Sequence, residues 1–354
     1  MMLVGTDWTP VVRGHGGLEN LVVGWADELA RRHDVYVASF GEREDGAPAI
    51  PGEPFRRITI ERPHDIAAAC ERHAIEVVQL NNRPQWLEFT PGGVVSFHNY
   101  SEAWSPLGDP TGTRVDMMRS VGDAAGITAV SRDLARHVAN VAELDLGDVQ
   151  VVAPFVDAEF LGLPAPRIEP PHVLFANRLI HKKGPQVLVD AKANGACPGV
   201  EFHFTDYTRP WPSATAEHET LRQRVRETPG CRLVEAPTSR AAMARQMGRA
   251  AVVVVPSIEP EPFGLTSIEA QAVGTPVVVT DVGGLPETLG PNVHPVPAGD
   301  PAALTAAIGA ALIQPVNEAG RAWVRTTFDR AESARTLERV LSRAAARPRR
   351  TRAR

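Results

Sequence analysis

Short runs of β-branched and apolar residues alternate with stretches of helical period along nearly the whole chain, the pattern that parallel sheets covered by helices on both faces require. In the first half the runs are MLVGT, VYVAS, RRITI, EVVQL, VVSFH, ITAVS and VQVVA. Between the first two, Leu18, Leu21, Val22, Trp25 and Leu29 recur at helical spacing and predict an amphipathic helix lying on a sheet. Pro154, Pro164, Pro166, Pro170 and Pro171 then break the pattern and predict a linker. The alternation restarts with HVLFAN, VEFHFT, CRLVEA, AAVVVVP and TPVVVT, separated by helical stretches such as 239–250. A helical pattern from 300 to about 343 closes the chain. The fold class expected is α/β, with two doubly wound domains, ligands at the carboxyl ends of their strands and a cleft between the domains. The expected boundaries are 1–155 for the first domain, 156–171 for the linker, 172–328 for the second domain, 329–346 for a last helix and 347–354 for a basic tail.

Composition narrows the partners. At 354 residues, two domains are the expectation, and 43% apolar with 22% charged residues suits a globular enzyme. Lys and Arg total 37 against 42 Asp and Glu, a net charge of -5 that draws no polyanion to the surface, so nucleic acid is not an expected partner. Cys70, Cys197 and Cys231 are odd in number and far apart, which fits neither a disulfide framework nor a zinc site and points to a reducing, cytoplasmic setting. The opening residues lack a basic leader with an apolar run, and no stretch approaches the ~20 apolar residues of a membrane span. The tail from Arg347 to Arg354 is nearly all Arg and Pro and reads as solvated, with weak contact to an anionic lipid surface as its alternative use.

The chemistry concentrates after the strand AAVVVVP, in SIEPEPFGLTSIEAQAVGTPVVVTDVGGLPE. Glu261 and Glu269 flank Phe263, Gly264 and Leu265, where Gly264 admits a close backbone approach and a helix is expected to begin at about Ser267. Free N–H groups at such a helix start suit an anion such as a diphosphate. A loop glutamate then accepts hydrogen bonds from sugar hydroxyls, and one in the first helical turn reaches a ribose. Glu269 has an equal second reading, because Thr266 and Glu269 spell a capping box; Glu261 has the plainer alternative of a solvated loop carboxylate beside Glu259.

In FANRLIHKKGP, Arg178 and Lys183 span a turn and offer a fork and a point charge to a departing diphosphate, with Lys182 as the solvent-facing neighbour. Taken alone, the pair also reads as solvated surface. In GHGGLEN, Gly16 and Gly17 precede the amphipathic helix, but Glu19 replaces the third glycine of a dinucleotide fingerprint, which disfavours hydride transfer. His98 ends VVSFH, facing the expected cleft or serving structure, and Ser131 reads as a helix N-cap. No D-x-D pair occurs, so no metal-bound diphosphate site is expected, and neither G-x-S-x-G nor H-E-x-x-H is present.

Together these motifs resemble glycosyltransferase family 4, the group 1 transferases with two facing Rossmann-like domains known as the GT-B fold. The resemblance runs through GGLEN at 16–20, FHN at 97–99, VSRDL at 130–134, APFVD at 153–157, NRLIHKKG at 177–184 and PSIEPEPFGLTSIEAQAVGTPVVVTDVGGLPE at 256–287. It implies retaining transfer from a nucleoside-diphosphate sugar of the UDP or GDP type, a co-substrate rather than a cofactor. The acceptor would be a hydroxyl of a small molecule, glycan or glycolipid, and metal would be dispensable. Arg178 and Lys183 would grip the diphosphate, Glu261 the transferred sugar and Glu269 the ribose. Backbone N–H groups of Gly264, Leu265 and Thr266, in the loop after Phe263, would lie near donor oxygens. Gly16 and Gly17 would close on the diphosphate from the acceptor-binding first domain, and His98 would stand beside the donor sugar. The C-terminal helix, around 323–341, would cross back over the first domain.

Three departures stand out. Asn177 replaces a usual Gly, Ala153, Pro154 and Phe155 replace Pro-Asn-Gly, and Thr205, Asp206 and Tyr207 stand where Gly-x-Gly is common. The same architecture serves nucleotide-sugar epimerases, sugar phosphorylases and non-catalytic nucleotide-sugar-binding relatives.

Overall fold

Every apolar run named above forms a strand, and among the described residues the strands pair only in parallel. The structure, a computed structural model, describes residues 1–5, 16–40, 52–90, 92–100, 121–162, 169–207 and 215–347. The basic tail beyond 347 and part of the proline-rich stretch lie outside the described residues. Contacts divide the chain into two compact units, Met1–Phe155 with Arg330–Arg354, and Val156–Asp329.

In the first unit, β1 (Met2–Val4), β2 (Tyr36–Phe40), β3 (Arg56–Ile60), β4 (Val78–Asn81), β5 (Val94–Phe97), β6 (Gly126–Ala129) and β7 (Val149–Val151) form one sheet in the order β3-β2-β1-β4-β5-β6-β7. The chain starts at β1, builds outward to β3, then returns beside β1 and builds the other way, so the order reverses between β1 and β4. Met2 registers with Tyr36 on one side and with Val78 on the other. β1, β4 and β5 are buried throughout, as strands covered on both faces must be.

Helix α1 (Gly17–Leu29) buries Leu21, Val22, Trp25 and Leu29, with Leu18 partly buried against the same core. α2 (Ile66–Arg72) follows β3, and α3 (Arg132–Ala142) starts at Ser131, whose Oγ accepts the Leu134 N–H at 3.0 Å, so Ser131 is a cap. The last helix, Arg330–Ala345, puts Leu337, Val340, Leu341 and Ala344 into the same core. Each of these leucine and valine side chains contributes ~1.5–3 kcal/mol on burial. Trp25 Nε1 donates to Ser333 Oγ at 2.9 Å, and Ser333 donates to the Ala153 carbonyl at 2.6 Å. Polar ends of the packed helices are thereby satisfied.

In the second unit, β8 (His172–Phe175), β9 (Glu201–Asp206), β10 (Cys231–Glu235), β11 (Val252–Val255), β12 (Val277–Thr280) and β13 (Val293–Val296) lie in the order β10-β9-β8-β11-β12-β13. The edge strand β13 escapes the sequence reading because His294 and Pro295 interrupt its apolar run; proline is tolerated there because an edge strand need not donate on both sides. The helices are α4 (Pro185–Ala193), α5 (Thr215–Glu227), α6 (Arg240–Arg249), α7 (Leu265–Ala272), α8 (Pro301–Leu312) and α9 (Glu318–Thr327). Ser239 caps α6 and Asp300 caps α8 through hydrogen bonds to their first-turn N–H groups. No described helix is long and apolar enough to cross a membrane. Cys197 and Cys231 are free thiols.

Candidate functional site

The strand order of the second unit reverses between β8 and β11, and a doubly wound sheet opens its ligand crevice at the carboxyl ends of such a pair. Both motif-bearing segments leave from these two ends. After β8 the chain passes Asn177 and Arg178 into a 3₁₀ turn over His181–Lys183 and then α4. Gly184 takes φ 73°, and a Cβ there would stand 1.8 Å from the Pro256 carbonyl oxygen, so only glycine lets this turn close on the segment after β11. The Ile258 N–H donates to the Lys182 carbonyl at 3.0 Å and fastens the two loops.

That closure delivers Lys183 onto Glu261. Lys183 Nζ donates to both carboxylate oxygens, at 2.6 Å to Oε2, with the two side chains 11% and 14% exposed. Ser257 Oγ donates to Oε2 at 3.1 Å. The Glu261 main chain bridges Gly283 in parallel and accepts the Gly284 N–H at 2.7 Å, so Glu261 is a built carboxylate rather than a solvated one. Burial works to raise its pKa, but Lys183, Ser257 and Lys182 outweigh it and hold the carboxyl below its usual range. Lys182 is exposed, as expected, and Arg178 is exposed beside it.

Helix α7 begins at Leu265, earlier than the expected Ser267, because Gly264 turns the chain at φ 109°. A Cβ on Gly264 would meet Leu285 Cδ2 at 2.4 Å. This corrects the capping-box reading of Glu269: the cap is Gly264, it supplies no side-chain acceptor, and Thr266 lies inside the helix. The Thr266 hydroxyl instead accepts from Asn177 Nδ2 at 3.4 Å. The positive end of α7, with Leu265 and Thr266 in its first turn, therefore has no side-chain cap and suits an anion. Phe263 is buried with its ring edge-on to Phe328, centroids 5.5 Å apart.

Glu269 is 4% exposed, and its Oε1 accepts from Arg240 Nη2. Arg240 Nε donates to Asp157 Oδ2 at 2.8 Å, and its guanidinium lies 4.6 Å from the Phe160 ring centroid. Burial raises the Glu269 pKa, Arg240 offsets part of the rise and Asp157 adds to it. The Tyr207 phenol is pushed up to about 12, first by burial and then by Glu269, while Arg240 and Arg178 pull the other way. Arg178, Arg240 and Glu269 thus all act electrostatically on one phenol. Thr205, before it, ties β9 to the motif by donating to the Phe175 and Asn177 carbonyls at 3.0 and 3.2 Å.

Sequence reasoning misses Ser257, Tyr207, Asp157 and Arg240. The available signal for Arg240 is its place just after the cap Ser239, at the helix start that follows β10 and hence on the ligand side of the sheet.

Gly16, Gly17 and His98 belong to the first unit. Gly16 is the N-cap of α1 without a side-chain bond, and Gly17 is its first residue. A Cβ on Gly16 would meet Glu19 Oε2 at 2.4 Å, which places the Glu19 carboxylate at this helix start. His98 follows β5 and is buried 5.8 Å from the Trp25 ring, with Nε2 2.8 Å from Asn81 Oδ1 and its backbone N–H donating to Asn82 Oδ1 at 2.7 Å. Burial pushes its pKa down to about 3, so the imidazole is neutral at physiological pH. Among the described residues no group of three or more His, Cys, Asp or Glu is placed to hold a metal ion.

Two doubly wound parallel sheets of this order define a GT-B protein, and solved structures share that fold. Sucrose-phosphate synthase from Thermosynechococcus elongatus matches with a TM-score of 0.79 at 21% identity, covering 96% of this chain and 97% of that one. HepE from Anabaena, solved with UDP-glucose, matches with a TM-score of 0.73 at 18% identity, covering 96% and 98%. The model for Glycosyltransferase Family 4 matches residues 15–160, and that for Glycosyl transferases group 1 matches residues 170–314. The chain therefore belongs to glycosyltransferase family 4, the group 1 transferases. Among relatives, a D-inositol 3-phosphate glycosyltransferase from Xylanimonas cellulosilytica is 32% identical over 223 residues, 58% of this chain and 52% of the relative. One of the same name from Pseudarthrobacter chlorophenolicus is 35% identical over 188 residues, 47% of this chain and 43% of the relative. The matched stretch thus spans about half the length of these relatives or less.

Proposed function

We propose that this chain is a retaining glycosyltransferase that moves a hexosyl group from a nucleoside-diphosphate sugar of the UDP or GDP type to an acceptor hydroxyl, with neither metal nor cofactor. The observation that carries the reading is the Lys183–Glu261 pair at the strand-order reversal of the second unit. A lysine ammonium has three N–H donors, and the carboxylate takes two of them, so one remains for a phosphate oxygen. The ionised Glu261 accepts hydroxyls of the transferred sugar. Arg178, from the same turn, adds a guanidinium fork, and α7 adds its uncapped N–H groups.

As the glycosidic bond breaks, its electron pair passes to the terminal phosphate, and these fixed positive groups stabilise the growing charge. The same phosphate oxygen takes the acceptor hydroxyl proton while that hydroxyl oxygen bonds to the anomeric carbon on the face the phosphate leaves. Glu261, already bonded to Lys183 and Ser257, acts as a hydroxyl acceptor rather than the nucleophile of a double displacement. The missing D-x-D pair supports independence from metal. The UDP and UDP-glucose bound to HepE support the donor class, and the relatives' names make inositol phosphate the first acceptor to screen. Three cysteines, odd in number and far apart in the sequence, suit a cytoplasmic setting. The test is the anomeric configuration of the first product, read by proton NMR in the presence of a chelator. Retention is expected; inversion, or activity only after Mg²⁺ or Mn²⁺ is restored, would overturn the mechanism.

A further inference from the structure

We infer that Arg240 is a positioning residue for the ribose of the donor: it holds Glu269 by one carboxylate oxygen and leaves the other to accept from the ribose diol. This rests on the donor-site reading of the second unit. A lone guanidinium facing a lone carboxylate takes both its oxygens in a fork. Here it does not: Nε serves Asp157 Oδ2, and Nη2 reaches Glu269 through Oε1. The Phe160 face beneath the guanidinium restrains its plane, so Arg240 is held from three sides.

The consequence falls on Glu269 Oε2. It takes no hydrogen bond from a described residue, and it is not among the buried side-chain oxygens sealed without a partner. It is therefore open, on a side chain otherwise buried. Vicinal hydroxyls are O–H donors that seek such an anchored acceptor, and an ionised acceptor binds them more strongly than a neutral one. Burial alone favours the protonated form of Glu269, and Arg240 opposes that. The guanidinium thus sets the direction of the oxygen offered to ribose and opposes part of the burial that favours the protonated form.

The experiment compares binding of UDP and 2′,3′-dideoxy-UDP, or the guanosine pair where GDP binds tighter, by calorimetry on the full chain. Wild type is expected to bind the ribonucleotide at least about tenfold tighter than its dideoxy analogue. Arg240→Ala should weaken ribonucleotide binding while leaving the analogue nearly unaffected, so that the ratio falls toward one. Arg240→Lys, which keeps the charge, should restore part of it. In turnover, Arg240→Ala should raise the donor KM more than it lowers kcat, since ribose is remote from the breaking bond. A ratio that survives in Arg240→Ala, or an equal loss for both nucleotides, overturns the inference. Should Arg240→Ala fail to fold, Asp157→Ala removes the acceptor from Nε and lets the guanidinium fork onto Glu269, and an unchanged ratio there has the same force. Failure of wild type to bind either nucleotide overturns the donor-site reading itself.

Discussion

Lys183 Nζ stands 2.6 Å from Glu261 Oε2 across 78 residues of sequence, and the pair joins the segments leaving the two strands where the sheet order of the second unit reverses. Removing one partner of a largely buried ion pair costs ~3–5 kcal/mol, because the other is left uncompensated, whereas replacing both by apolar groups is often close to neutral. On the proposed mechanism, stability and catalysis are therefore separable here. Glu261→Ala is expected to lower turnover at least about tenfold, a loss of ~1.4 kcal/mol in the transition state, and also to lower Tm. The double variant Lys183→Met with Glu261→Leu should recover most of the Tm and none of the turnover. Recovery of both, or of neither, in melting and turnover assays would show that the pair is not at once structural and functional.

The loop closure depends on Gly184. With φ 73° and the Pro256 oxygen 1.8 Å from a built Cβ, Gly184→Ala forces backbone movement and is expected to cost roughly 1–3 kcal/mol or more. Because Lys183 precedes it, turnover should fall further than lost stability explains at a temperature where the variant is folded. Urea unfolding and turnover measured on the same sample check this; a Gly184→Ala protein with wild-type values in both would contradict the geometry.

Much of this arrangement is legible in the sequence. The apolar runs are unbroken over β8, β11 and β12, and the turn residues fall at strand ends, so both sheets and the two motif segments follow from periodicity alone. β13 does not, since His294 and Pro295 dilute its pattern. The start of α7 is misplaced because a left-handed Gly264, not Thr266, makes the cap, a choice decided by packing against Leu285. Pairings between distant residues are the least legible. Lys183 with Glu261, and Arg240 with both Glu269 and Asp157, depend on which strand ends become neighbours, which no local spacing encodes.

Buried neutral histidines make the fold sensitive to acid. His98 is pushed down to about 3 and His172 to about 4, in both cases first by burial, against an ordinary value of 6.5. Folding then requires a neutral imidazole while the unfolded chain takes up a proton below pH 6.5. Their contribution is full above that pH and is lost as pH falls toward the folded values, at up to ~1.4 kcal/mol per pH unit for each group. Tm should drop between pH 7.5 and 5.5, and the drop should be smaller in His98→Gln. Glu269, raised by burial, acts in the opposite sense at lower pH, so the variant comparison isolates His98. An equal drop in both proteins would contradict the assignment.

On the proposed mechanism, the exposed fork of Arg178 and the Lys183–Glu261 pair turn a nucleoside diphosphate into a leaving group. The most direct measurement is release of UDP or GDP from a panel of nucleotide sugars by wild type and by Arg178→Ala. Release from at least one donor, reduced at least about tenfold in Arg178→Ala with a stability change within ~0.5 kcal/mol as for an exposed side chain, is the predicted result. Release unchanged in Arg178→Ala, or no release by wild type from any donor, would contradict it.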